Sequence, residues 1–248
     1  MTASDPILIA ALAVSFLAGF VRGFSGFGGA LIFVPLIAAL YDPARAAPTW
    51  LIIDALLTLP LTIRSAGRCA WGEIAPMAIA AGLFTPVGVW ALTASDPILL
   101  RWAISAAVVA ILALLVSGLR YAARPPLAAT VAVGAVSGVL GGAAQLSGAP
   151  VAAFWLGGPG ERGTIRANLI VFFALVSVAS ALSFWRAGLL TADVGRLSLW
   201  LGPLYGLGIL LGSRWFAGAS ERSYRRAAYA VVAVSGLASA PLLDALWR

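Results

Sequence analysis

Gly141-Gly142-Ala143-Ala144-Gln145-Leu146-Ser147-Gly148-Ala149-Pro150 lies near the middle of Pro125–Gly160, a stretch that carries no charge. Its flanks are apolar enough for lipid, but its middle is a poor helix. A bilayer core is crossed by ~20 helical residues, so the stretch is too long for one span. It reads as two helices or half-helices meeting at a break. Broken backbone at membrane depth is tolerated only where it is buried in protein or lines a cavity. A similar break occurs once more, at Gly23-Phe24-Ser25-Gly26-Phe27-Gly28-Gly29-Ala30. Paired interruptions in the two halves of a chain are the sequence pointer to a transporter's binding site.

Working outward, the whole chain suits a membrane. It is 62% hydrophobic and 10% charged, with a mean hydropathy of +1.01. Such a composition excludes a soluble domain. No Lys or Arg precedes the apolar run Pro6–Val21, and no small-residue cleavage site follows it, so the run is expected to be retained. The net charge is +7, and every basic residue is an arginine. These arginines sit in short loops between apolar runs, so the basicity reflects topology rather than nucleic-acid binding. With no histidine and one cysteine, the chain offers no haem histidine, no His-rich zinc site and no Ser-His dyad. Cys69 is expected in a loop, without an intrachain partner. No cofactor or metal is called for.

Apolar segments fall at roughly 6–22, 29–41, 46–63, 74–94, 98–119, 127–142, 149–158, 166–185, 196–217 and 226–246. They predict an all-α polytopic membrane protein. The halves repeat: Gly19–Ala30 aligns with Gly138–Ala149, and Ala94-Ser95-Asp96 with Arg101 aligns with Ala219-Ser220-Glu221 with Arg226. Residues 1–120 form the first repeat half of a single transmembrane domain and 121–248 the second. Each half is a broken or re-entrant helix pair followed by three spans. An odd number of segments turns the second half over relative to the first, giving two inverted repeats.

Arginine placement bears on orientation. Let each broken pair return to the side it came from. One side then holds Arg64, Arg68, Arg120, Arg124, Arg162, Arg166, Arg214, Arg222, Arg225 and Arg226. The other holds the smaller group Arg45, Arg101, Arg186, Arg196 and Arg248. The positive-inside rule puts the first group in the cytoplasm and both termini outside. Trp71, Trp102, Trp185, Trp215 and Trp247 lie near span ends, as an interfacial belt requires.

The breaks suggest anion chemistry. Small residues let backbone unwind and approach a ligand. A helix starting near Gly28 or Gly29 would aim free N–H groups and a positive dipole end into the first break. Ser25 adds a hydroxyl there, and Gly26 lies between them. The second break offers Gln145, Ser147 and the N–H groups around Gly148. Two such starts facing each other near the midplane would bind a small anion without a buried lysine. The competing reading is that the glycines only allow close helix packing. Arg22 borders the first break and either supplies charge to the anion or snorkels to an interface. Asp54, central in its span, either carries a coupling proton or pairs with Arg22. Arg166 and Asn168 open segment 166–185 and are placed to reach the mouth of the second break, unless they are a positive-inside arginine and a helix-start asparagine.

Gly19-Phe20-Val21-Arg22-Gly23-Phe24-Ser25-Gly26-Phe27-Gly28-Gly29-Ala30 with Val34-Pro35 resembles the first glycine-rich motif of the TauE/SafE sulfite exporter family, also called the 4-toluene sulfonate uptake permease family. Gly138-Val139-Leu140-Gly141-Gly142 through Ser147-Gly148-Ala149-Pro150 is similar to its second motif, and Arg166-Ala167-Asn168-Leu169 is also similar to that family. The resemblance covers nearly the whole chain. Gln145-Leu146-Ser147-Gly148 departs from the more glycine-rich form of many members, and Ala149-Pro150 is shifted relative to Val34-Pro35. The resemblance implies transport of a small sulfur-containing or carboxylate anion, such as sulfite, a sulfonate or sulfoacetate, across a bacterial inner membrane. Because cell interiors are negative, an anion leaves downhill by ~2.3 kcal/mol per charge per 100 mV, which favours export. An anion channel or a membrane subunit of a larger complex is the alternative. A membrane enzyme is disfavoured: Gly23-Phe24-Ser25-Gly26 echoes rhomboid proteases, but the histidine base is missing. The carboxylate cluster of undecaprenyl pyrophosphate phosphatases is missing too.

Overall fold

Three helix starts, at Pro6, Pro43 and Pro97, are written in the sequence as Asp-Pro. In the computed structural model, which describes residues 6–25, 28–117, 125–158 and 161–215, Asp42 accepts the Arg45 N–H at 2.8 Å. Asp96 accepts those of Ile98 and Leu99 at 2.8 and 3.1 Å. Proline follows each cap, at the position where its missing N–H costs nothing. The helices are α1 (Pro6–Ser25), α2 (Gly29–Leu40), α3 (Pro43–Ser65), α4 (Trp71–Ala94), α5 (Pro97–Ser117), α6 (Leu127–Ala144), α7 (Gly148–Gly157), α8 (Arg162–Arg186) and α9 (Ala192–Trp215). No strand occurs among the described residues. Nine of the expected apolar segments coincide with these helices to within a few residues. The tenth, 226–246, Gly26 and the Ser25 side chain lie outside the described residues. Helix α8 starts about a turn before its apolar count does, so Arg166 and Asn168 sit inside it rather than at its opening. Glu161, Arg162 and Thr164 hid that turn from a hydropathy reading.

Helices α1, α3, α4, α6, α8 and α9 are long and apolar enough to cross a membrane. Helices α2 and α7 have 12 and 10 residues. At 1.5 Å per residue they rise about 18 and 15 Å, roughly half of a ~30 Å hydrocarbon core. Large side chains such as Leu83, Val178 and Leu199 are exposed, as lipid-facing positions are. The protein is a multi-pass membrane protein.

The chain packs as two compact units. In the first, α1 runs parallel to α9. The Ser15 hydroxyl donates to the Leu201 carbonyl at 2.9 Å. A Cβ on Gly19 would lie 2.2 Å from the Tyr205 carbonyl oxygen, and one on Gly23 2.2 Å from that of Ile209. In the second unit α6 runs parallel to α4 with the same contacts: Gly134 on Met77, Gly138 on Ala81 and Gly142 on Thr85, with Cβ positions 2.4, 2.2 and 2.2 Å from the carbonyl oxygens. Gly19 and Gly23 are the residues that align with Gly138 and Gly142. Backbone meets backbone at these positions, which is how small residues hold membrane helices together.

Within the second unit α8 also runs parallel to α4. Asn168 accepts the Ala70 N–H, at the start of α4, at 2.7 Å, and Ala179 lies beside Gly82 further along. Helices α4, α6 and α8 therefore begin at one end of the unit. The α6–α7 pair returns to the end from which it set out, which is the condition the arginine reckoning needs for that pair. Helix α8 closes with Gly188 at φ 70 and the bonds Gly188 N–H to Trp185 and Leu189 N–H to Phe184, a Schellman ending. Phe172 and Trp155 meet edge-on at 5.9 Å among Ile74, Met77 and Val151 to form this unit's core. In the first unit Trp50 packs between Phe33 and Tyr205, at 5.2 and 5.1 Å.

Candidate functional site

The second break turns at Gln145, a non-glycine residue in the left-handed region (φ 57). That conformation is uncommon and strained for a side chain of this kind. The Gln145 backbone N–H and its Nε2 both donate to the Gly141 carbonyl, at 2.9 and 2.7 Å. One amide hydrogen of the side chain is used in this way, leaving the second. Ser147 then precedes α7, is 9% exposed, and makes no side-chain cap. Gly148 opens α7 beneath Phe173, whose Cζ would lie 3.1 Å from an added Cβ. A Cβ on Gly141 would lie 3.2 Å from both the Ser147 Cβ and the Val176 Cγ1. Gly141 is thus where α6, the start of α7 and α8 converge. Gly142 lies level with Thr85, past the midpoint of α4, so the break falls inside the span.

The first break is built from different parts. Gly28 precedes α2 at φ 89, a left-handed position that glycine adopts without strain. Gly29 is wedged: an added Cβ would lie 2.6 Å from the Trp50 Cη2, 3.0 Å from the Ala18 carbonyl oxygen and 3.1 Å from the Arg22 Cβ. Arg22 is half-buried in the last turn of α1, where a cation also suits the helix dipole. Replacing Gly28 by alanine is expected to cost about 1–2 kcal/mol, the penalty of a Cβ in the left-handed region. A thermal midpoint equal to wild type would contradict the assigned backbone.

Helices α2 and α7 share one property. Their N-termini lie in the breaks and neither receives a side-chain cap, whereas Asp42, Asp96 and Thr191 serve the starts of α3, α5 and α9. Helices α6 and α8 also begin without side-chain caps, but next to exposed Pro126 and Glu161, where water can serve them.

The structure gathers the candidate residues into three groups. Arg22, Gly28 and Gly29 belong to the first unit; Gln145, Ser147 and Gly148 meet in the second. Arg166 and Asn168 lie at the beginning of α8, level with Ala70, roughly 22 Å along α4 from the level of Gly142. There Asn168 is buried, accepts from Ala70 and donates to Glu73 Oε2 at 3.2 Å, while Arg166 is exposed. Asp54 is half-buried in the middle of α3, and its carbonyl accepts the Thr58 hydroxyl at 2.7 Å. Several buried hydroxyls, Ser137 and Ser180 of the second unit among them, escaped the sequence reading. Polar residues inside apolar spans are the signal that marks them.

Residues 11–239 match the family described as Sulfite exporter TauE/SafE. The chain belongs to the TauE/SafE family. Neither a curated protein nor a solved structure matches it. Family membership makes this multi-pass protein a membrane transporter of the sulfite-exporter kind. Within the matched span lie both breaks and every candidate site residue.

Proposed function

We propose that this TauE/SafE protein is a secondary transporter that exports a small anion, with sulfite, a sulfonate or a related organic anion as cargo. The observation that carries the reading is the start of α7. It lies inside a span, lacks a side-chain cap, and is flanked by the Ser147 hydroxyl and the Gln145 amide. A helix N-terminus offers N–H groups and positive potential to an anion, and hydroxyl and amide donors complete its coordination. The start of α2 at Gly28 and Gly29, with Arg22 beside it, is the matching element of the first half. In this reading each half-helix start offers its N–H groups to the anion, and the halves, related as inverted repeats, give alternating access. The protein sits in a bacterial inner membrane with both termini outside. Asp54 is the candidate for a coupling proton; export down the membrane potential does not require one.

Anion-induced thermal stabilisation tests this. The panel is sulfite, sulfate, thiosulfate, sulfoacetate, taurine, acetate and chloride at matched ionic strength. An anion at 100 times its dissociation constant adds about 2.7 kcal/mol of stability. Selective stabilisation by a sulfur oxyanion or sulfonate, abolished in the Gln145→Ala/Ser147→Ala double variant, is the expected result. Equal stabilisation of wild type and double variant would remove the second break from the site.

A further inference from the structure

Helical serines inside a membrane ordinarily satisfy their hydroxyls on the carbonyl one turn back. Ser183 does so on Ala179 and Ser198 on Val194, each at 2.8 Å. Ser180 does not. Its side chain is 0% exposed and its Oγ has no hydrogen-bond partner. A buried hydroxyl left this way is costly in an apolar interior and keeps its donor available to a ligand that reaches it.

The position of Ser180 says where such a ligand sits. Phe173, Val176 and Ser180 lie along one stripe of α8. Phe173 lies against Gly148, the first residue of α7, and Val176 lies against Gly141 beside Ser147. Ser180 follows Val176 by one turn on that stripe, so it lies next to the contact that Val176 makes with Gly141. Side chains on an α-helix lean toward its N-terminus. The Ser180 hydroxyl therefore leans back toward the level of Val176, against which Gly141 lies beside Ser147. An unpartnered buried hydroxyl thus lies one turn from the residue of α8 that packs beside the uncapped start of α7.

We propose that Ser180 is a specificity-determining residue of the second-break anion site, donating its hydroxyl to an oxyanion held at the start of α7 beside Ser147 and Gln145. This rests on the reading of that break as an anion site. An SO3 head presents three acceptor oxygens and a carboxylate two. A donor from α8, added to those of the break, matches the third oxygen and biases the site toward sulfite and sulfonates over carboxylates.

The test is sulfite-dependent thermal stabilisation of the full-length protein, read as an apparent Kd, in wild type and in Ser180→Ala, Ser137→Ala and Ser147→Ala. Ser137 supplies the control. It too is fully buried with an unpartnered Oγ, but it lies one turn on the other side of Gly141. Without sulfite, Ser180→Ala and Ser137→Ala are expected to melt at or above wild type, because each loses an unpartnered buried hydroxyl. With sulfite, Ser180→Ala raises the apparent Kd about tenfold, the loss of one charge-assisted hydrogen bond, and Ser137→Ala leaves it unchanged. If Ser147→Ala weakens sulfite binding and Ser180→Ala does not, the proposal falls while the break remains the site. Equal weakening by Ser180→Ala and Ser137→Ala also overturns it, since the effect would then be general. No response to sulfite in the wild type removes the site and the proposal together.

Discussion

Gly138→Val unfolds or strongly destabilises the protein, and Gly19→Val does the same through the other unit. A Cβ on Gly138 would lie 2.2 Å from the Ala81 carbonyl oxygen and 2.8 Å from the Ala81 Cα. Both are backbone atoms of α4, so no side-chain rotation relieves the clash. The helices must separate along their whole contact, breaking the neighbouring approaches at Gly134 and Gly142. Overpacking of ordinary cores costs about 1–3 kcal/mol, and a backbone-to-backbone contact belongs at or above the upper end. Gly82 is the comparison. It lies in α4 too, but a Cβ there meets only the Ala179 Cβ at 3.9 Å. Gly82→Ala is expected to stabilise by up to about 1 kcal/mol through helix propensity alone. Thermal unfolding in detergent measures both. If Gly138→Val melts with wild type, the α4–α6 register is wrong.

The second large effect belongs to Asn168. Its Oδ1 holds the Ala70 N–H at the start of α4, and its Nδ2 donates to Glu73, so one buried side chain ties α8 to both the loop end and the first turn of α4. Asn168→Asp keeps the acceptor for Ala70 but replaces the donor with a second carboxylate beside Glu73. The residue is 1% exposed, so the new charge is buried. A loss of about 2–3 kcal/mol is expected, the range for a hydrogen bond to a charged group exchanged for an uncompensated one. Adding Glu73→Gln restores a donor and recovers most of the loss. An additive double variant would show that the two side chains are not coupled. The measurement also separates two roles. A structural bracket lowers the midpoint without anion, whereas an anion ligand at this position changes only the response to anion.

Much of the helix order was legible because hydropathy and helix length act together in a membrane. The uncharged stretch around Gln145 forced two helices, and α6 and α7 are those two. Gly28 and Gly148 were legible as half-helix starts because glycine punctuates an apolar run that is otherwise continuous. What hydropathy cannot carry is the register between helices. It gave no means of separating Gly19, Gly23, Gly138 and Gly142, which are backbone contacts, from Gly28 and Gly148, which sit at turns and starts. Asn168 read as part of a break's mouth because the sequence places it two segments after the first helix of that break. In space it reaches α4, through a bond whose partners are 98 residues apart. Ser180 was silent for the opposite reason: a single serine in a span looks satisfied until its carbonyl geometry is known.

The parallel pairing of α1 with α9 also sets an order of assembly. The Ser15 hydroxyl and the Leu201 carbonyl that it binds are 186 residues apart in the chain. At about 5–20 residues per second, α1 waits roughly 10–40 seconds after its synthesis before its partner exists. Its contact face, bare backbone at Gly19 and Gly23, stands open to lipid or to a chaperone throughout. Helices α4, α6 and α8 are all complete before α9 is made, so the unit containing Gln145 and Ser180 is able to close first. The last helix described, not the first, decides when α1 finds its place, and a chain truncated before Ala192 keeps one unit's helices while leaving α1 without its partner.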